Sequence, residues 1–364
     1  MEKFATAEGT KRFAEKFSEL ASGHFRLAQG LTASSIGIGT YLGRPDAETD
    51  ANYAEAVEKF VEAGGNVIDT AANYRLQRSE RNVGAALQNL EKKGFARDEL
   101  LICTKAGFLA FDGRPAASAQ SFFEENFVKK GIAAPDDLVG GSHCMTPAYL
   151  ENQIEQSLRN MQIEGIDVFY LHNPESQLAA VDRYTFEARL AKAFEKLEEC
   201  RQTNKIRFYG AATWNGFRVA PDEANYHSLE RMVNVARQIG GEDHGFKFVQ
   251  LPFNLAMPEA LLFPNQAAAG RVFPAIEAAR ELGVSVMCSA SILQGKLAAN
   301  LPKHLNETLG NLATDAQTSI QFVRSTPNVT TALVGMSKAA HVSENMKLAG
   351  IEPVNGETFA KMFS

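Results

Sequence analysis

The stretch NVIDTAANY, Asn66–Tyr74, decides how the chain reads. An apolar run, Val67-Ile68, stops on an acid, Asp69; small residues follow, and a phenol, Tyr74, closes the segment. A strand that is apolar almost to its end, and then turns polar, is a buried strand whose tip meets a cleft.

Seven further runs of the same kind follow the pattern outward: SIGIGT (35–40), LLICTK (100–105), IDVFYLH (166–172), IRFYGAAT (206–213), FKFVQLPFN (246–254), VSVMCSAS (284–291) and VTTALVGM (329–336). Amphipathic stretches lie between them, among them 53–65, 79–94 and 185–200. Gly64 and Gly94 stand where a helix end favours a left-handed residue. Eight strands alternating with helices predict an α/β fold, a (β/α)8 barrel of TIM type. A doubly wound open sheet is the rival. It usually carries a glycine-rich phosphate turn after its first strand, and GIGT lacks the third glycine. We read residues 1–364 as one barrel domain with its core at about 35–349. Residues 1–34 add a helix and a hairpin, the hairpin (24–34) turning at Gly30 and capping the barrel floor. Residues 106–145 form a long loop after the third strand, and loops of that length are usually functional.

Composition excludes several classes. The chain has 364 residues, 45% of them hydrophobic, and a net charge of -6, so no global basic field draws it to nucleic acid or an anionic membrane. Its four cysteines, Cys103, Cys144, Cys200 and Cys288, form no C-x-x-C pair, against a zinc cluster or disulfide framework and in keeping with a reducing, cytoplasmic setting. No apolar run reaches the ~20 residues that span a bilayer. The first twenty residues carry charges throughout, unlike a secretory signal. No metal site is expected. The sequence says nothing of the oligomeric state.

In a barrel the strand ends share one rim. Asp69 ends the second strand, Lys105 the third and His172 the fourth, with Gln250 and Asn254 late in the sixth; Tyr74 lies just beyond Asp69. A phenol is a weak acid at neutral pH, with a pKa of about 10. An ammonium within ~4–6 Å stabilises the phenolate and draws that value down. Lys105 supplies the ammonium, Asp69 pairs with it, and His172 orients a carbonyl oxygen. A tuned acid beside a bound carbonyl serves reduction by hydride. The protein has no hydride of its own, which implies a nicotinamide cofactor.

These residues resemble the aldo-keto reductase family. The likeness runs from about residue 35 to 349 through GIGT, NVIDTAANY, SERNVGAAL (79–87), ICTKAGF (102–108), IDVFYLHNPE (166–175), IRFYGAATWN (206–215), VQLPFN (249–254), SASILQGKL (289–297) and LVGMSKAAHVSENM (333–346). The resemblance implies an NADP-dependent oxidoreductase that reduces an aldehyde or ketone, a small-molecule carbonyl substrate. Tyr74 is then the general acid, Lys105 and Asp69 its tuning pair, and His172 the carbonyl orienter. The implied cofactor is NADPH, with NADH the other nicotinamide carrier. Its nicotinamide end falls to Gly39, Thr40, Tyr41, Asp69, Thr213 and Gln250. Its pyrophosphate falls to Ser289, Ala290, Ser291, Ile292, Gln294 and Lys296. The adenosine end falls to Gly335, Met336, Ser337, Lys338, His341, Glu344 and Asn345, with Ser337, Lys338 and His341 on a 2′-phosphate.

Three positions depart from the family pattern. Ala212-Thr213 replaces a Ser-Asn or Ser-Glu pair, Ser289 replaces a stacking Tyr or Trp, and His341 replaces an Arg. Trp214 or Phe253 is the expected substitute for the missing flat surface. Phe108, Phe111, Phe122, Phe123 and Phe127 predict an aromatic lid and an apolar or aromatic carbonyl substrate. His143 and Cys144, adjacent in that loop, raise a metal or redox role. The alternative function is a non-enzymatic barrel of the same fold that senses the cofactor and regulates a partner.

Overall fold

The computed structural model describes residues 2–363. Eight parallel strands form a closed barrel: β1 (Ile36–Gly39), β2 (Val67–Asp69), β3 (Leu101–Ala106), β4 (Ile166–His172), β5 (Ile206–Ala212), β6 (Phe246–Pro252), β7 (Ser285–Ser289) and β8 (Val329–Gly335). Each pairs with the next, and β8 returns to β1 with Val334 opposite Ile38. The main helices that follow them are α1 (Ala47–Glu62), α2 (Arg78–Lys92), α3 (Pro147–Met161), α4 (Arg183–Gln202), α5 (Leu229–Gly240), α6 (Ala275–Glu281), α7 (Asp315–Ser325) and α8 (Ala339–Asn345).

The strands read as apolar runs because both of their faces are covered. Within β4, Val168 and Tyr170 join Val67, Leu101, Cys103 and Phe248 inside the barrel. The alternate residues Phe169 and Leu171 face out into the layer beneath the helices. Fully burying side chains of this size stabilises by about 1.5–3 kcal/mol each.

α1 begins earlier than the apolar pattern predicts. The Asp46 carboxylate accepts the Thr49 N–H at 2.9 Å and starts the helix six residues ahead of its first buried residue, Tyr53. Gly64 and Gly94, both at φ 89°, lie just past the ends of α1 and α2 in the left-handed conformation expected of them.

The N-terminal helix spans Ala7–Lys16, and the hairpin pairs Phe25–Ala28 with Leu31–Ser34. Gln29 and Gly30, at φ 50° and 79°, make its two-residue turn. Ala28, Leu31 and Ala33 join the interior cluster, so the hairpin closes the floor of the barrel as expected.

The connection after β3 is more ordered than a loop. It holds a helix (Ala119–Phe123), a wider turn (Glu124–Val128) and a 3-10 turn (Pro135–Asp137). Phe123, Phe127, Cys144 and Tyr149 form its own small core, against which Phe111 and Phe122 pack. Of the five phenylalanines expected to make a lid, only Phe108 reaches the cleft described below. The others hold the segment together. A second hairpin, Gln266–Ala268 with Arg271–Phe273, follows β6. Among the described residues no helix is long and apolar enough to cross a membrane.

Candidate active site

The barrel register brings the strand tips together. Asp69 lies opposite Gly39 on one side and Cys103 on the other. Lys105 pairs with Tyr170, and His172, Ala212 and Gln250 follow in line across β4, β5 and β6. Above them opens a cleft of about 410 Å³.

At its base the Lys105 ammonium, fully buried, donates to Asp69 Oδ2 at 2.6 Å and to the Thr70 carbonyl at 2.8 Å. Gln250 Nε2 donates to the other Asp69 oxygen at 2.8 Å. The ammonium stands 5.1 Å from the centre of the Tyr74 ring. Tyr74 in turn packs edge-on against His172, with ring centres 5.7 Å apart, and against Tyr41 at 4.9 Å. The four residues expected to carry the chemistry are thus in one place.

Their ionisation follows from burial and from each other. Burial would lower the Lys105 pKa, but the charges of Asp69 and Tyr74 outweigh it, and the amine is held above its ordinary value. Burial, then the Lys105 charge and His143, push His172 well below 6.5, so its ring is neutral at pH 7. Tyr74 corrects the expectation from sequence. Burial raises its phenol above 10, and the pull of Lys105 offsets only part of that rise. The phenol therefore stays protonated at neutral pH, as a proton donor must, and the ammonium limits the cost of losing that proton.

The turn that presents Tyr74 is strained and heavily tied. Arg75, Leu76 and Gln77 are all left-handed, at φ 47°, 60° and 69°. Such residues persist where the surroundings over-determine them, and they gather at functional sites. The Arg75 guanidinium donates to the Arg44 carbonyl and, at 2.7 Å, to Asp50. Gln77 Nε2 donates to the Ala110 carbonyl at 2.9 Å, and Ala72 N–H extends the β3 ladder by reaching the Lys105 carbonyl. This anchoring carries no motif that sequence reading finds.

Of the expected cofactor residues, Gly39, Thr40, Tyr41, Asp69, Thr213, Gln250, Ser289, Ala290, Ser291, Ile292, Gln294 and Gly335 all line the cleft. Thr213 Oγ1 is buried without a partner. Lys296, Met336, Ser337, Lys338, His341, Glu344 and Asn345 fall outside that lining. Lys296, Lys338 and His341 are exposed, while Glu344 already accepts the Thr314 hydroxyl at 2.9 Å. Asn254 lies past the tip of β6 and donates to the Ala290 carbonyl at 3.0 Å, bracing the β7 turn.

The two candidates for a flat surface separate. Trp214 lines the cleft and is 41% exposed. Phe253 is fully buried and stacks on Phe322 at 5.2 Å, away from the cleft, so it is no substitute. Sequence reading also misses Asn73, Asn173 and Leu42 in the lining, and Glu175 behind it. One Glu175 oxygen accepts the backbone N–H of Trp214 at 2.6 Å and of Asn215 at 3.0 Å, which fixes the turn that carries the indole.

Known proteins resemble the chain in sequence and in fold. The model of the aldo/keto reductase family matches residues 35–362. D-threo-aldose 1-dehydrogenase of a Pseudomonas species is 30% identical over 185 residues, 50% of this chain and 51% of that protein, so the match spans about half the length of that relative. An uncharacterized oxidoreductase of Bacillus subtilis is 23% identical over 332 residues, covering 90% of each chain. An aldo/keto reductase of Klebsiella pneumoniae, solved in complex with NADP and acetate, shares the fold with a TM-score of 0.62 at 19% identity and covers 94% of both chains. With the family match spanning most of its length, the chain belongs to the aldo/keto reductase family.

Proposed function

We propose that the chain reduces an aldehyde or ketone to an alcohol with NADPH, Tyr74 giving the proton. The observation that carries this is the Lys105 ammonium, locked between Asp69 and Thr70 and facing the Tyr74 ring beside a neutral His172 at the mouth of a cleft.

The residues present fit a nicotinamide cofactor. The cleft runs from the catalytic end to the turn after β7, where Ala290, Leu293 and Gln294 are left-handed at φ 55°, 44° and 55°. The buried, unpartnered Thr213 hydroxyl and the Gln250 side chain suit a carboxamide. Ser337, Lys338 and His341 would meet a 2′-phosphate, the feature that favours NADPH over NADH. A nicotinamide bound here supplies the hydride. Asp69 holds Lys105 charged; Lys105 stabilises the phenolate that Tyr74 becomes; the neutral His172 donates an N–H to the substrate oxygen and turns the carbonyl toward Tyr74. Tyr41, Phe108 and Trp214 wall the outer cleft and favour an aromatic carbonyl substrate.

The test is oxidation of NADPH followed by absorbance with 4-nitrobenzaldehyde as substrate. Aldehyde-dependent oxidation is the expected result. Tight NADPH binding with no turnover of aldehydes or ketones would overturn it in favour of a cofactor-sensing barrel.

A further inference from the structure

The reductase reading leaves His143 and Cys144 without a task. Among the described residues no group of three or more His, Cys, Asp or Glu stands together to hold a metal. The Cys144 thiol is buried, its pKa pushed up to about 11, and its polar partner is Thr146, whose hydroxyl lies 3.4 Å away. His143 is placed differently. Its Nε2 lies 2.8 Å from the carbonyl oxygen of His172, and its Nδ1 lies 2.8 Å from Gln177 Nε2. Gln177 Oε1 in turn lies 2.5 Å from Arg189 Nη1 on α4.

The direction of this chain is set from one end. A guanidinium only donates, so the Gln177 oxygen must face Arg189 and its NH2 must face His143. His143 Nδ1 then accepts, the ring proton sits on Nε2, and it is given to the His172 carbonyl. The β3–β4 ladder ends at the pair Ala106 and Leu171, so His143 supplies a donor to the carbonyl one residue beyond it.

We propose that Arg189, Gln177 and His143 form a one-way hydrogen-bond relay in which His143 is a positioning residue for His172, locking the long β3 connection onto the rim. The proposal rests on the reductase reading for the role of His172. Two further features support it. The Phe108 ring, part of the cleft wall, lies edge-on between the two imidazoles, 5.1 Å from each. The relay also fills the space above Gly107, where a Cβ would come within 2.6 Å of His143 Nε2 and 2.8 Å of the His172 oxygen. Burial brings the His143 imidazole down to about 4, so it is neutral at pH 7. The titratable groups around the relay are His172 on β4 with Lys105 and Tyr74 beyond it, Cys144 in the connection itself with Asp137 acting on it, and Arg189 on α4.

The test has two arms. Nitrogen-detected histidine NMR of the wild type should show His143 as the Nε2–H tautomer, unchanged from pH 5.5 to 8. Gln177→Glu keeps the partner of Arg189 but turns an acceptor onto Nδ1, so His143 completes the chain only as an imidazolium. The ratio of variant to wild-type kcat/KM should then fall about tenfold between pH 6 and pH 8.5, as the relay loses its proton and His172 shifts. A side chain that merely packs would leave that ratio independent of pH. An Nδ1–H tautomer in the wild type, or a flat ratio, overturns the relay. A wild type that reduces no carbonyl overturns the reductase reading instead, and the NMR arm still decides the hydrogen-bond order.

Discussion

Two ion pairs, each built on a buried carboxylate, sit at opposite ends of this barrel. At the floor, the fully buried Asp167 at the start of β4 accepts Arg97 at 2.8 Å, the Ile102 N–H at 2.8 Å and the Ala5 N–H at 2.6 Å. Arg97 also donates to the carbonyls of Leu100 and Gly165. At the rim, Asp69 at the end of β2 accepts Lys105 and Gln250, and Lys105 makes one more bond, to the Thr70 carbonyl. The floor pair is spent on backbone and ties the N-terminal segment to the sheet. The rim pair turns the rest of its ammonium toward a phenol. Similar ion pairs differ in role because one lies where strands begin and the other where they open onto a cleft.

The largest expected effect comes from breaking the rim pair. Lys105→Met should lower kcat by about 10²-fold or more. It should also cost about 3–5 kcal/mol of stability, because Asp69 is left buried and unpaired; steady-state kinetics and urea unfolding check both. Asp167→Ala should cost a similar ~3–5 kcal/mol while kcat of the folded enzyme stays within about twofold. A matching loss of kcat would erase the distinction between floor and rim. Asp69→Asn sharpens it. Asp69 is what holds the Lys105 pKa up against burial, so its removal lets the ammonium lose its proton at lower pH. Activity should fall by about tenfold, more steeply as pH rises, read as a kcat profile from pH 6 to 9.

The smallest effect lies in the floor. His24, buried against the Gly64 carbonyl at 3.0 Å, is drawn down by burial to about 4. An unfolded histidine titrates near 6.5, so between these values the unfolded state binds the extra proton. The stability that the neutral ring contributes is complete above about pH 6.5 and is lost as pH falls toward 4. Wild type should lose about 2 kcal/mol more than His24→Gln between pH 7 and pH 5 by chemical denaturation.

The barrel was legible because parallel strands covered on both faces must be apolar along most of their length, and β3 is buried at all six positions. The four catalytic candidates were legible because each ends, or closely follows, such a run. What failed to show depends on contacts distant in sequence. Phe253 looks available next to Gln250, yet it faces α7 and stacks on Phe322. The connection after β3 looks like an aromatic lid, yet most of its phenylalanines pack into a cluster of their own, Phe123 and Phe127 against Tyr149. The phenol was expected below its ordinary pKa because charge is readable in sequence, whereas the depth of burial that opposes it is not.

The central claim, that Tyr74 gives the proton while the cleft binds the cofactor without it, is tested most directly by measuring NADPH affinity and aldehyde turnover together in Tyr74→Phe. Loss of turnover by about 10³-fold, with a dissociation constant for NADPH within about threefold of the wild type, is the predicted result. Turnover surviving the loss of that hydroxyl would contradict it.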